Sequence, residues 1–235
     1  MWNGKRVSVI FPAYNERENI VNAIMDFYAT GVVDEIIVVD NNSTDGTAEE
    51  VQKTPARLVK ETRQGFGYAL MRGLREATGD YIIMAEPDGT FVGKDVFKLL
   101  AYADDFDMVC GTRTTKELIW AGANMGLFLR WGNLFVAKLL EILYNGPSFS
   151  DCGCTMRLIR REALYKFIDR LTVGGSHFLP EMVILALKAG LKIIEIPVNY
   201  RPRVGVSKIT GSFKGTLKTG LRMIGLILRY KFVRR

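Results

Sequence analysis

Two stretches decide the fold: Val7-Ser8-Val9-Ile10-Phe11 running into Pro12-Ala13-Tyr14-Asn15-Glu16-Arg17-Glu18, and Glu35-Ile36-Ile37-Val38-Val39-Asp40 running into Asn41-Asn42-Ser43-Thr44-Asp45-Gly46-Thr47. Each is a short β-rich run that ends in turn and cap residues and then gives way to helical spacing. Ile20, Ile24 and Phe27 mark one helix face after the first, and Asn15 with Glu18 stand at capping-box spacing ahead of it. Further β-rich runs at 57–60 and 81–85 repeat the alternation, which is the pattern of βαβ units on a parallel sheet. In such a sheet both loops leave the carboxyl edge, where open α/β folds bind ligands.

The chain has 235 residues, 48% hydrophobic and 24% charged, enough for one sizeable core. No basic stretch followed by an apolar run opens it, so the expectation is a cytoplasmic protein. Cys110, Cys152 and Cys154 cannot make a disulfide framework. With a single histidine, His177, they also lack the ligands of a closed zinc site, so all three read as reduced thiols. One histidine likewise removes most triads, and acid-base or metal chemistry falls to carboxylates.

Charge is uneven. Ten of the 32 Lys and Arg lie from Arg201 onward with no acidic residue among them, whereas the first 200 residues carry 22 basic against 25 acidic. Beyond residue 100 a strand is expected at 108–112, a long helix at 123–143 and a late strand at 191–198. The long helix is charged only at Arg130, Lys138 and Glu141 and is too interrupted to span a bilayer, which leaves burial or a membrane interface. In the basic end Leu217, Leu221, Ile224 and Leu228 recur at helical spacing among Lys218, Arg222, Arg229 and Lys231, as in an interfacial amphipathic helix. The expected organisation is a catalytic domain over 1–212 and a basic amphipathic, membrane-interfacial helix over 213–235. Aliphatic rather than stacking residues dominate among those charges, which argues against nucleic acid as a partner.

Three acidic clusters fall at strand ends: Asp40 with Asp45, Glu86-Pro87-Asp88, and Asp151. A carboxylate there can take a ribose hydroxyl or a base N–H, and two carboxylates one residue apart can hold a hard divalent cation that bridges a diphosphate. The plainer alternatives are that Asp40 and Asp45 cap a helix and that Glu86-Pro87-Asp88-Gly89 is an acidic turn. Gly65-x-Gly67 follows the third strand and lacks the third glycine of a dinucleotide fingerprint, so turn geometry suffices for it. His177, beside Gly174-Gly175-Ser176, reads as a loop histidine.

Phe11-Pro12-Ala13-Tyr14-Asn15-Glu16, Val39 through Thr47, Gly65-Phe66-Gly67-Tyr68-Ala69-Leu70 with Gly73, and Gly79-Asp80-Tyr81-Ile82 resemble the family 2 inverting glycosyltransferases. Gly111-Thr112-Arg113, Asp151-Cys152-Gly153-Cys154-Thr155-Met156-Arg157, Phe178-Leu179-Pro180-Glu181 and Tyr200 through Lys208 resemble its dolichyl-phosphate mannose and glucose synthase branch. The resemblance implies a Rossmann-like GT-A fold with a mostly parallel sheet, a nucleoside-diphosphate sugar (UDP- or GDP-linked) as donor and a polyprenyl phosphate as acceptor. It also implies Mg²⁺ or Mn²⁺ as cofactor and a peripheral position at the inner face of the cell membrane.

Carried over by residue, the resemblance puts Pro12, Tyr14, Glu16 and Asp40 on base and ribose, Gln64 and Gly65 nearby, and Glu86 and Asp88 on the cation. This sequence departs from the family's D-x-D motif by having Glu86 for the first Asp, and Thr90 where Gln often follows. The cation is then displaced on a longer arm, or Asp88 is its main ligand. Asp151 falls in the acceptor-site motif, as an acceptor-site residue or a base, and Arg113, Arg130, Arg201, Arg203 and Lys208 are candidates to clamp an acceptor phosphate. Two other readings remain open: transfer to a polysaccharide or protein hydroxyl, and a catalytically weak sugar-nucleotide or lipid-binding module.

Overall fold

The computed structural model describes residues 1–123, 126–205 and 213–232. In chain order the elements are β1 (Val7–Ala13), α1 (Ile20–Tyr28), β2 (Glu35–Asp40), α2 (Thr47–Val51), β3 (Arg57–Lys60), α3 (Phe66–Glu76), β4 (Tyr81–Met84), α4 (Val96–Ala101) and β5 (Met108–Thr112). They continue with α5 (Leu127–Tyr144), β6 (Arg157–Arg160), α6 (Arg161–Leu164), α7 (Phe178–Lys188), β7 (Ile193–Pro197) and α8 (Phe213–Phe232). The sheet order is β3-β2-β1-β4-β6-β5-β7. All strands run the same way except β6, which is antiparallel to both β4 and β5.

β1 is buried along its whole length because it sits between β2 and β4 with helices on both faces. Its side chains alternate between two cores. Ile10 faces α3, α5, α7 and α8, while Val9 and Phe11 face α1 and α4. α3 lies so close to the sheet that a Cβ on Gly73 would stand 2.3 Å from Ile10 Cγ2 and 3.1 Å from Val39 Cγ2.

The structure departs from the sequence expectations at definite places. Asn15 and Glu18 do not cap α1. Asn15 sits at φ 55° and its side-chain oxygen accepts from Thr44 N–H (2.8 Å), so it joins two loops instead. β6 and α7 were not foreseen. β6 is four residues of mixed Arg-Leu-Ile-Arg pattern, and α7 is apolar all round because α3, α5 and α8 cover it. The helix expected at 123–143 is present as α5. Its apolar circumference is divided: Val136, Ala137 and Leu140 are in the core, whereas Trp131, Phe135 and Ile142 are 62–73% exposed.

The helix expected over 213–235 is present as α8 (Phe213–Phe232) and packs on the rest of the chain. Met223, Leu226 and Ile227 are buried, Ile227 fully. Tyr144 Oη donates to the Ile227 carbonyl (2.8 Å) and Tyr230 Oη donates to Glu181 (2.6 Å). The helix shares the core of the catalytic domain and leaves Leu217, Leu221, Leu228 and Phe232 exposed on its other side. Among the described residues no helix is long and apolar enough to cross a membrane.

Gly73→Ala tests the α3–sheet approach. In an exposed helix the change would be stabilising by about 1 kcal/mol. Here the methyl group meets Ile10, and a net loss of about 1–3 kcal/mol is expected by urea denaturation.

Candidate functional site

The parallel register brings Ala13 opposite Asp40, so the loops after β1 and β2 leave one edge, joined by the Glu86–Thr90 loop after β4. A cleft of about 500 Å³ opens over that edge. Its polar half is lined by Pro12, Tyr14, Glu16, Asn41, Gln64, Glu86, Asp88, Arg113, Thr155 and Arg203. Its apolar half is built by Phe66 and Ala69 of α3, Leu129, Phe135 and Val136 of α5, Leu179 of α7, and Leu217, Leu221, Met223 and Ile224 of α8.

Asn41, not singled out from sequence, organises the polar half of the cleft. Its amide donates to the carbonyls of Glu61 and Arg63 (2.8 and 2.9 Å), and its oxygen accepts from Gly65 N–H (2.7 Å) and Gln64 Nε2 (3.3 Å). Asp40 is buried and accepts from Ser43 N–H (3.1 Å), which orders the turn beside the cleft. Asp45 belongs to the plainer reading: it accepts from Thr47 N–H (3.0 Å) and Thr47 Oγ1 (2.5 Å) at the start of α2. Gly65, at φ 152°, and Gly67 leave no room for side chains because the 173–174 backbone passes over them. Gly67 N–H donates to the Gly174 carbonyl (2.8 Å). That segment is held in turn by the fully buried Glu181, which accepts from Thr172 Oγ1 (2.8 Å), Val173 N–H (2.9 Å) and Tyr230.

Glu86 and Asp88 stand together with a guanidinium against them. Asp88 Oδ1 accepts from Thr90 N–H (3.0 Å) and Thr90 Oγ1 (2.6 Å), while Oδ2 faces Arg203 Nη1 at 2.9 Å. Glu86 accepts from Thr155 Oγ1 (2.6 Å), with its other oxygen 3.8 Å from the same Arg203 nitrogen. Arg203 Nη2 donates to Glu16 (2.7 Å). Thr90, the departure from the family motif, thus fills one oxygen of Asp88.

Asp151 is fully buried and accepts both prongs of the Arg113 fork, Nε at 2.7 Å and Nη2 at 3.0 Å, and Gly153 N–H at 3.1 Å. Burial works against the Arg113 cation, but Asp151 overrides it and holds the group protonated well above its ordinary value. Both oxygens of Asp151 being engaged, it positions Arg113 rather than standing ready as a base. Arg113 lies over the Tyr200 ring (5.2 Å). Arg130 donates to the Thr114 carbonyl (2.9 Å), and Arg201 stacks on Trp120 (4.7 Å); neither lines the cleft. Lys208 lies outside the described residues. The three thiols are free and buried, and burial pushes Cys110 to about 11 and Cys152 to about 12.

The model of glycosyl transferase family 2 matches residues 8–168, which hold all but the first residue of β1, the elements through β6, and Asp40, Asn41, Gln64, Gly65, Glu86, Asp88, Arg113 and Asp151; Glu181 and Arg203 lie beyond it. The chain belongs to glycosyltransferase family 2. A curated relative from Mycobacterium tuberculosis, an uncharacterized glycosyltransferase, is 33% identical over 218 residues, covering 91% of this chain and 94% of its own. Two Haloferax volcanii proteins are also similar. The low-salt glycan biosynthesis hexosyltransferase Agl6 is 31% identical over 209 residues (86% of this chain, 49% of its own), and glycosyltransferase AglJ is 31% identical over 204 (84% and 63%). Among solved structures, glucosyl-3-phosphoglycerate synthase from M. tuberculosis in complex with Mn²⁺, UDP and glucosyl-3-phosphoglycerate superposes with a TM-score of 0.71 at 21% identity, covering 99% of this chain and 82% of that one. The architecture is therefore the GT-A fold, and the protein is a glycosyltransferase that uses a nucleotide sugar.

In this glycosyltransferase the paired carboxylates are electrostatically strained. Burial, then the charge of Asp88, push the Glu86 carboxyl up to about 7 from its ordinary 4.5. A carboxyl whose folded-state pKa is raised stabilises the fold below its unfolded value, and that contribution is lost as pH rises through about 7. Glu86→Gln removes the charge that the fold resists. It should raise the melting temperature relative to wild type by about 2–4 °C at pH 8 and little at pH 5, read by calorimetry without ligands. Equal shifts at both pH values would show that the Glu86 charge costs the fold nothing.

Proposed function

We propose that the enzyme transfers a sugar, with inversion, from a UDP- or GDP-sugar to a polyprenyl phosphate at the surface of a membrane. The observation that carries this reading is the division of the cleft: carboxylates, amides and arginines at the sheet edge, then an apolar trough between α5 and α8. A nucleotide sugar has no use for the trough, whereas a prenyl chain buries apolar surface in it. The trough opens beside exposed Trp131, Phe135, Leu217 and Leu221, and α8 carries basic side chains and no acidic one in its first turn, a combination suited to an anionic lipid surface.

Pro12, Tyr14, Glu16, Asp40, Gln64 and Gly65 would hold base and ribose. Glu86 and Asp88 suit Mg²⁺ or Mn²⁺, two hard carboxylate oxygens being enough for a cation that takes its other ligands from a diphosphate and water. When bound, such a cation neutralises the leaving nucleoside diphosphate. Arg113, oriented by Asp151, meets the acceptor phosphate. That phosphate is already anionic at neutral pH, so its oxygen attacks the anomeric carbon without a base while the bond to the diphosphate breaks on the opposite face.

Purified protein would be offered UDP- and GDP-sugars with Mg²⁺ or Mn²⁺ against a long polyprenyl phosphate in anionic vesicles, a short soluble prenyl phosphate, and phosphoglycerate. Transfer to the prenyl phosphates is expected. Phe135→Ser with Leu221→Ser should raise KM for the long acceptor at least tenfold and leave the donor KM unchanged. Faster transfer to phosphoglycerate, or to a soluble hydroxyl acceptor, would reject the lipid acceptor. Asp88→Asn should lower kcat by about two orders of magnitude or more, since several kcal/mol of charge stabilisation depend on the cation's placement, and Glu86→Gln should lower it less. Equal losses would make Glu86 a full ligand. Asp40→Ala should raise the donor KM more than it lowers kcat.

A further inference from the structure

Arg203 is bound in a way that the other buried arginines are not. Arg157, fully buried, donates to the carbonyls of Cys152, Cys154 and Leu179, and Arg113 engages Asp151 through a two-pronged fork. Each is squarely paired, Arg157 with carbonyls and Arg113 with one carboxylate. Arg203 instead spreads two nitrogens over three carboxylates, at 2.7 Å from Glu16, 2.9 Å from Asp88 and 3.8 Å from Glu86, and its Nε is buried without a hydrogen-bond partner among the described residues. A fork that faces three acids and pairs squarely with none acts as a counter-charge.

The cluster requires such a charge. Asp88 is almost completely buried and Glu16 and Glu86 are close by, and carboxylates gathered this way repel one another unless a cation lies among them. Arg203 supplies it from a short strap whose backbone is tied to the cluster's own loop: Arg201 N–H donates to the Thr90 carbonyl (2.9 Å) and Val204 N–H to the Asp88 carbonyl (2.8 Å). Gly205, at φ 82°, follows.

We propose that Arg203 is a placeholder cation: its guanidinium neutralises Glu16, Glu86 and Asp88 until a divalent ion takes over the two carboxylates after β4, and the exchange frees the guanidinium for a substrate phosphate. This rests on the reading that Glu86 and Asp88 take a divalent cation. It makes Arg203 a competitor of the metal and a partner of the anion, so one side chain links the arrival of the two. An enzyme built this way binds its cation weakly alone and tightly once a diphosphate can accept the displaced guanidinium.

The experiment is Mn²⁺ binding without sugar transfer, by electron paramagnetic resonance titration, for wild type, Arg203→Gln and Glu16→Gln, each with and without UDP. With the competing charge removed, Arg203→Gln should bind Mn²⁺ alone at least tenfold more tightly, about 1.4 kcal/mol. UDP should then tighten Mn²⁺ binding by a smaller factor than in wild type. Glu16→Gln, which removes the shortest anchor of Arg203 and leaves Glu86 and Asp88 in place, should tighten Mn²⁺ binding by a smaller factor and covers the case in which the Arg203 variant fails to fold. Mn²⁺ affinity unchanged or weakened in the folded variants, with wild type still binding Mn²⁺, overturns the exchange alone. Absence of Mn²⁺ binding in every protein, with UDP present, overturns the cation reading together with it.

Discussion

The parallel pairing of β1 with β2 and β4 is the constraint on which the rest depends. It fixes where three loops emerge: Ala13 opposite Asp40, and the Glu86–Thr90 loop one strand over. Carboxylates as distant in sequence as Glu16, Asp40 and Asp88 reach one edge because the strands before them run parallel. Burial on both faces holds the register, since a one-residue slip would exchange the residues of the two cores. The polar half of the site is thus a by-product of apolar packing, with Gly73 letting α3 close on the sheet.

The polar half was legible in the sequence for the same reason. Strand runs that end in turn residues and carboxylates are local signals, and the loops after β1, β2 and β4 sit where those signals put them. What escaped reading depends on distant partners. Nothing local marks Arg157 to Arg160 as a strand, because its pairing with Tyr81–Met84 and Met108–Cys110 is what makes it one. Asn41 reads as one more turn residue until its bonds to Glu61, Arg63 and Gly65 are seen. The arginines were legible as charge but not as geometry: Arg113 and Arg203 line the cleft, whereas Arg130 and Arg201 are turned to a carbonyl and a tryptophan ring. The terminal helix showed its amphipathic face in sequence, but its buried Ile227 and its tie to Glu181 required the fold.

The polar and apolar sides of the cleft are also joined mechanically. Glu181 gathers the 172–173 backbone and Tyr230 of α8 on one carboxylate, and the same backbone continues to Gly174, whose carbonyl receives Gly67 at the start of α3. A helix on the apolar side is therefore two side-chain contacts away from the turn beside Gln64.

The excursion that carries α5 leaves the sheet after Thr112 and returns before β6, and it is tied shut at its base. Arg113 bonds Asp151, and the hydroxyls of Thr112, Thr114 and Ser150 bond one another, across separations of 36 to 38 residues. Beyond the tie, the positions that face away from the core, Trp131, Phe135 and Ile142 among them, can change without loading the strands, whereas Val136, Ala137 and Leu140 remain bound to the packing of the core. The polar edge and the apolar wall can then diverge at different rates. A lineage can keep the one while it tries many versions of the other, by rewriting the outward face of a cassette of about forty residues.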